Sequence, residues 1–478
     1  MNTILNLLKM LLPKKHFARS VTVLAGGTFG AQAITMLASP ILTRLYLPDD
    51  YGMMALFGGI LSIITVVVCL RYEFAIPLPS EDKDAAAILL LSSFITCCMT
   101  AITSLIVFFY GRAICQALNA PILFNYLWLM PLGVLLVGTY QILNYWAIRT
   151  GSFSLIAKSK LSQALGGTAV QLLGYRLGVV ALIAGLITGQ AAGITRLGSW
   201  IPRSDLFKNI RFDNIKNLAY RYRHFPFFSS WAGLFSAASA ALPAILITSF
   251  FGLAAAGFFA LTNRVLGAPS ILVGQAIGQV YMSEAAIAHR NGNLPELVAQ
   301  VHYNLAQIAM PATLILILIA PELISLVFGL NWQKSGVFLQ YLAPMFYIQF
   351  VLSPLSTTVE ILERQAVGMK LQFIMLVSRL LALLTGALTG NLIYAVLLYS
   401  LFSSISYAIW LLVVIHITQN KLPAFLLPTL KGFKWALLIC TPLLGSMFLN
   451  FSLDILLYIA FPLSLFIYAI RMYYLFNF

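Results

Sequence analysis

Residues 391–418 read NLIYAVLLYSLFSSISYAIWLLVVIHIT and contain no aspartate, glutamate, lysine or arginine. A helix needs about 20 mainly apolar residues to cross the roughly 30 Å of hydrocarbon in a bilayer. Similar apolar runs recur from residue 20 to residue 475, and the 478-residue chain is 60% hydrophobic and 9% charged. Soluble domains are about a quarter charged. The sequence therefore predicts an all-α integral membrane protein without a separate soluble domain.

Fourteen apolar segments are predicted as membrane spans. They cover residues 20–46, 53–78, 86–110, 122–148, 154–176, 178–199, 226–250, 254–282, 297–320, 337–361, 366–388, 391–418, 432–450 and 453–474. The 154–176 segment is the least typical because it contains Lys158 and Lys160. Residues 1–19 are instead predicted to lie on the membrane surface, since their positive charge follows the apolar run, the reverse of a signal peptide.

The basic residues test this topology. If the N-terminus is cytoplasmic, the cytoplasmic connections contain 23 lysines and arginines and the opposite side contains 4. Such an asymmetry is typical of bacterial-type inner membrane proteins, in which the basic loops stay inside. It predicts a multi-pass protein of the cytoplasmic (inner) membrane with both termini cytoplasmic. Orientation and contact with anionic membrane lipids explain the net charge of +15, and no motif indicates a nucleic-acid partner.

Two passages of the chain are similar to each other. Residues 42–56 (LTRLYLPDDYGMMAL) align with residues 247–261 (ITSFFGLAAAGFFAL), and each joins the first and second spans of a six-span half. Transporters are often built from such repeats, with the substrate site between them. We therefore predict an N-lobe of residues 20–199, a basic cytoplasmic linker of residues 200–225, a C-lobe of residues 226–418 and a final helix pair within residues 419–478.

Charge placed within the spans gives the candidate binding residues. An arginine near the bilayer centre costs at least about 2.5 kcal/mol to insert, so it is expected to face a cavity or a partner. Its guanidinium suits phosphate, although a purely structural contact is the alternative reading. The predicted set of substrate contacts is Arg264, Arg379, Lys158, Lys160, Arg71, Asn263 and Gln275. Glu73 is the candidate residue for coupling transport to an ion.

No residue pattern indicates an enzyme, a metal site or a cofactor. The five histidines are isolated from one another, and Asp49 and Asp50 follow Pro48 in a short polar turn. The five cysteines lie in or beside apolar segments without the spacing of metal ligands. We therefore predict a protein that is not an enzyme and that binds no metal and no cofactor.

Three stretches resemble a known family. Residues 71–79 (RYEFAIPLP), followed by EDKDA at 81–85, resemble the end of the second helix of Wzx-type polysaccharide flippases. Residues 42–48 (LTRLYLP), with DYG at 50–52, resemble the segment before that helix. Residues 263–269 (NRVLGAP) and 274–280 (GQAIGQV) resemble the eighth helix. With fourteen predicted spans, the resemblance covers nearly the whole chain.

The resemblance implies the V-shaped fold of the multidrug/oligosaccharidyl-lipid/polysaccharide (MOP) superfamily. It also implies that a polyprenyl-pyrophosphate-linked oligosaccharide is moved to the outer leaflet for O-antigen or exopolysaccharide synthesis, with Arg264 meeting the pyrophosphate. Polysaccharide assembly proteins would be its partners. A MATE-like multidrug or metabolite antiporter and a flippase for peptidoglycan precursors are the alternatives.

Overall fold

The computed structural model describes residues 15–198, 212–269, 275–449, 451–452 and 455–477, and these contain helices and connections but no strand. Within these described residues eighteen α-helices follow one another, and all but the four-residue α13 have at least eight residues. They are α1 Lys15–Leu45, α2 Pro48–Val66, α3 Asp82–Ala117, α4 Leu129–Arg149, α5 Phe153–Leu173, α6 Val179–Gly198, α7 Phe212–Arg221, α8 Ser230–Phe251, α9 Leu253–Pro269, α10 Gln275–Asn291, α11 Leu294–Phe328, α12 Gln333–Leu355, α13 Thr358–Ile361, α14 Gln365–Leu388, α15 Leu392–Ile417, α16 Pro423–Ile439, α17 Thr441–Phe448 and α18 Phe461–Asn477.

The helices confirm the all-α, multi-pass prediction but not the number of spans. Nine helices in the described part of the chain are long and apolar enough to cross a membrane, and α16 and α17, bent by 54°, would together make a tenth. Helices also lie at the other four predicted spans, 20–46, 122–148, 154–176 and 254–282, but they are shorter or less apolar. In α5, for instance, Lys158, Lys160, Gln163 and Gln171 reduce the mean hydropathy. The count of fourteen is therefore not confirmed.

Three predicted spans have the wrong boundaries. The 53–78 span ends as a helix at Val66, and the chain continues into a 3-10 turn, Tyr72–Ala75. The 254–282 span consists of α9 and α10 on either side of residues 270–274, which lie outside the described residues. The helices matching the 432–450 span begin at Pro423, and a break at Cys440 separates α16 from α17. Apolar composition continues past Val66 and through Cys440, so it could not reveal these two ends.

The chain divides into two compact units, Lys14–Ala260 and Leu261–Phe478. The predicted lobes and linker remain a prediction. Most of residues 1–19, residue 199 of the N-lobe and the first half of the linker, residues 200–211, lie outside the described residues. The rest of the linker contains the short helix α7.

Close helix packing through glycine builds the first unit. A Cβ built on Gly167 of α5 would lie 2.7 Å from the Gly185 carbonyl oxygen of α6, and one on Gly185 would lie 2.8 Å from the Gly167 oxygen. Real Cβ atoms do not approach a backbone this closely, so only glycine permits this helix spacing. The spacing of Gly185 and Gly189 in the sequence indicates such packing, and here it is observed.

Candidate functional site

The RYEF stretch forms a strained turn after α2. Leu70 and Arg71 have φ angles of 47° and 62°, in the left-handed region that residues with a side chain rarely adopt. Each such residue costs about 1–3 kcal/mol, and strain of this kind concentrates at functional sites. Buried neighbours hold the turn in place, since Cys69 is fully buried and Glu73 is 1% exposed. The RYEFAIPLP stretch, which resembles the flippase family, therefore begins in a strained turn.

Arg71 and Glu73 form a loose pair within this turn. The closest approach between Arg71 Nη1 and Glu73 Oε1 is 3.9 Å, and the guanidinium lies 4.9 Å from the centroid of the Phe74 ring. Arg71 Nε and Glu73 Oε2 are buried without a hydrogen-bond partner among the described residues. Buried polar atoms are normally paired. The Arg71 Nε–H group can therefore donate to a ligand or a water molecule. Glu73 Oε2 can accept from one or take up a proton.

The environment of Glu73 favours its protonated form. The residue lies in the turn between α2 and α3, outside both spans. Burial raises the pKa of its carboxyl to about 7, although a backbone hydrogen bond and Arg71 act in the opposite direction. Glu73 can therefore gain or lose a proton near neutral pH, as a coupling residue must.

The adjacent face of α4 adds polar groups to the turn. The Tyr145 ring packs against Phe74 with centroids 5.0 Å apart, and Gln141 Nε2 donates to the Thr65 carbonyl oxygen at 3.4 Å. Gln141 Oε1 and Asn144 Oδ1 are buried and have no hydrogen-bond partner within the described chain. Asn144 can be recognised in the sequence as a polar residue within a span, but Gln141 and Tyr145 were not predicted as site residues. Their spacing of four residues, which places them on one face of the helix, could have indicated them.

The two lysines of α5 have different surroundings. Lys160 is half-buried and its Nζ donates to Thr28 Oγ1 of α1 at 3.0 Å, while Lys158 is exposed. Because they are two residues apart on a helix, they point to different sides of it. The structure therefore does not bring them together at one place.

Arg379 lies in a buried cage of hydroxyls and rings in the second unit. Its Nη2 donates to the Tyr407 hydroxyl at 2.7 Å and its Nε to Ser403 Oγ at 3.3 Å. The rings of Tyr399 and Tyr407 lie 5.6 and 5.5 Å from the guanidinium carbon. Tyr399, Ser403 and Tyr407 are each four residues apart and so share one face of α15. With 9% of the residue exposed, Arg379 ties α14 to α15.

Asn263 and Arg264 lie in α9, before the interval 270–274 that is outside the described residues, and Gln275 lies directly after it. Asn263 and Arg264 are half-buried residues of α9, and both have interaction partners. Gln275 is the first residue of α10. Their predicted contact with substrate stays a prediction.

The two aligned passages of the sequence meet at a junction between α2 and α9. A Cβ on Gly52 would overlap the Leu253 carbonyl oxygen, and a Cβ on Gly257 would overlap the Pro48 carbonyl oxygen. Because Pro48 aligns with Leu253 and Gly52 with Gly257, the contact is reciprocal, as in a local two-fold arrangement. Close by, Asn119 Nδ2 donates to the Ser249 carbonyl oxygen at 2.8 Å. Glycine is required at both positions of this junction.

The family model described as "Polysaccharide biosynthesis protein" matches residues 41–337 of this chain. The chain belongs to the polysaccharide biosynthesis protein family. The matched region includes the strained turn, the Gly52–Gly257 junction and Arg264, whereas Arg379 lies beyond it. No curated protein gives a significant match.

Solved structures with the same fold are transporters and flippases. The lipid II flippase MurJ in an inward closed conformation gives a TM-score of 0.73 at 13% identity and covers 95% of this chain and 99% of its own. An inward-facing multidrug resistance MATE family transporter of the MOP superfamily gives 0.56 at 12% identity, over 88% and 99% of the two chains. A MATE transporter of Vibrio cholerae gives 0.53 at 12%, over 89% and 100%. The predicted MOP-type fold of this polysaccharide biosynthesis protein is thereby confirmed.

Proposed function

We propose that this protein is a flippase that moves polyprenyl-pyrophosphate-linked oligosaccharide repeat units across the cytoplasmic membrane. The product would serve surface polysaccharides such as O-antigen or exopolysaccharide. The observation that carries the proposal is a family match to polysaccharide biosynthesis on a chain with a transporter fold. Such a chain can contribute to polysaccharide synthesis by moving a lipid-linked intermediate across the membrane. It need not catalyse the formation of a glycosidic bond.

The geometry supports an alternating-access mechanism. At the Gly52–Gly257 junction, the first turns of α2 and α9 pack backbone against backbone, without a side chain between them. Such contacts break without leaving large apolar groups exposed, which suits a gate. Arg264, Asn263 and Gln275 are the proposed contacts for the pyrophosphate and first sugars, with Arg71, Lys158, Lys160 and Arg379 as further basic candidates. Glu73 is the proposed residue for coupling.

Reconstitution with a labelled substrate tests the proposal. Proteoliposomes containing a fluorescent polyprenyl-pyrophosphate oligosaccharide would be exposed to an impermeant quencher, which reports how much substrate has changed leaflet. We expect protein-dependent movement, reduced at least about tenfold by Arg264→Ala because hydrogen bonds to charged groups contribute about 1.5–3 kcal/mol. Arg290→Ala, an exposed arginine of α10, is the matched control. Undiminished movement with Arg264→Ala would remove that residue from the mechanism.

A peptidoglycan precursor is the second candidate substrate, because the lipid II flippase matches over nearly the full length of both chains. The same liposomes would carry a labelled precursor with a pyrophosphate and one disaccharide. Faster movement of this lipid than of the oligosaccharide repeat would favour the second candidate. Transport of an organic cation in place of either lipid would favour a multidrug antiporter and contradict both.

A further inference from the structure

The short helix α7 is attached to the first unit by three contacts, one of which is to the strained turn. The Tyr72 hydroxyl donates to the Ala219 carbonyl oxygen at 3.0 Å, and Asn214 Nδ2 donates to Asp84 Oδ1 at 3.0 Å. Leu218 is 5% exposed and belongs to the core of the first unit. Because Asp84 lies in the first turn of α3, α7 packs at the end of a membrane span. This is the level at which lipid head groups lie.

The opposite face of α7 combines aromatic rings with positive charge. Phe212, Lys216 and Tyr220 follow one another at four-residue spacing, and the two rings are 78% and 69% exposed. Arg221 is also exposed. The only acid on this face is Asp213. Aromatic rings beside basic side chains are typical of helices that lie in the head-group region.

A stacked guanidinium adds a third cation to this face. The guanidinium carbon of Arg223 lies 3.9 Å from the centroid of the Tyr220 ring. Stacking fixes the plane of the guanidinium and leaves its N–H edges to bind an anion. Within the described part of the chain, Lys216, Arg221 and Arg223 make no ion pair. Their charges are therefore available to an anion from outside the protein.

From these contacts we infer that α7 is a binding site for the head groups of anionic phospholipids. Lys216, Arg221 and Arg223 bind the phosphate, and Phe212 and Tyr220 lie among the upper acyl carbons. Charge complementarity decides the occupant, because the leaflet facing the basic loops carries the anionic lipids. A lipid held here braces the turn that contains Arg71 and Glu73 through Tyr72, and it braces the start of α3 through Asp84. The inference does not depend on which substrate the protein moves.

A fluorophore on the exposed face of α7 can report lipid binding at this helix. Asn217→Cys would be labelled with bimane in the full-length protein after the exposed Cys97 and Cys98 are replaced by serine. Soluble dioctanoyl phosphatidylglycerol would be titrated against dioctanoyl phosphatidylcholine in detergent. We expect a saturable response to the anionic lipid alone. Lys216→Gln/Arg221→Gln should weaken its apparent Kd by about fivefold for each side chain, which corresponds to about 1 kcal/mol per charge.

Two control variants separate a local site from a general charge effect. Arg290→Gln/Lys421→Gln removes the same charge from two exposed residues far along the chain and should leave the Kd unchanged. Lys216→Arg/Arg221→Lys should retain binding, which also shows that the surface tolerates substitution. An equal response to both lipids, an unchanged Kd in the Gln variant, or saturation by free pyrophosphate at lower concentration than by the lipid would overturn the assignment.

Discussion

Two buried ionisable residues carry most of what the structure adds at the scale of single residues. Glu73 lies in a strained turn with an unpaired carboxyl oxygen, and Arg379 lies in a cage of tyrosine and serine hydroxyls. Burial makes charge costly at both places unless partners compensate for it. Glu73 can avoid the buried charge by binding a proton near neutral pH. Arg379 stays charged and is stabilised by hydroxyl acceptors and aromatic rings.

Stability is expected to depend on pH through Glu73. Its pKa rises from 4.5 in the unfolded chain to about 7 in the folded protein, so the folded state binds the proton more tightly. The free energy of unfolding should therefore fall as pH rises from about 4.5 to 7, and Glu73→Gln should remove that part of the dependence. Unfolding midpoints between pH 4.5 and 8 measure this. The control Glu360→Gln, at an exposed position, should show the same pH dependence as the wild type. If Glu73→Gln also showed the wild-type pH dependence, the raised pKa of Glu73 would be contradicted.

Removing one hydroxyl should weaken the Arg379 cage. Tyr407→Phe deletes the 2.7 Å hydrogen bond to the guanidinium, and we expect a loss of about 1.5–3 kcal/mol in the free energy of unfolding. Tyr394 is 58% exposed on the same helix, so Tyr394→Phe should have little effect. Chemical denaturation of both variants provides the comparison. If Tyr407→Phe abolished translocation at wild-type stability, Arg379 would act on substrate rather than in helix packing.

At the scale of helices, the reciprocal junction between α2 and α9 decides how closely two chain segments approach. It uses backbone atoms on both sides, so no rotamer change can make room for a methyl group. Gly52→Ala and Gly257→Ala should each cost about 1–3 kcal/mol of unfolding free energy, as overpacking does. The double variant should cost less than the sum, because either substitution alone opens the same contact.

An exposed glycine of α1 provides the control for this prediction. A Cβ on Gly26 meets nothing within 4 Å, so Gly26→Ala should be neutral or should stabilise by up to about 1 kcal/mol. Thermal unfolding of the four variants in one detergent makes the comparison. Equal midpoints for Gly26→Ala and Gly52→Ala would show that the junction tolerates a side chain.

Helix positions followed from the sequence better than helix ends did. Residues 366–388 and 391–418 are predicted within one residue of α14 and α15, because polar turns flank both segments. By contrast, the apolar residues 67–70 continue past Val66 although α2 ends there. The end of α2 depends on the buried surroundings of the turn, which the local sequence does not report.

At the scale of the whole molecule, the distribution of basic residues predicts the orientation in the membrane. We expect Thr150→Cys, at an exposed position after α4, to react only with reagents that reach the cytoplasm. Thr389→Cys, exposed after α14, should react from the outside. Labelling of whole cells and of inverted vesicles, with Cys97 and Cys98 replaced by serine, tests the pair. Labelling of both residues from one side would contradict the predicted fourteen-span topology.

The sequence by itself determined the class of protein, the helical segments, the family and the candidate cations. Apolar length, loop charge and the RYEFAIPLP stretch are local properties, so they can be found without coordinates. Tertiary structure decided which of these residues meet. It alone showed the left-handed turn at Arg71, the hydroxyl cage of Arg379 and the reciprocal contact of Gly52 and Gly257. Each of these features depends on contacts between parts of the chain that are separate in the sequence. The spacing of residues along the chain does not show how close such parts lie in space.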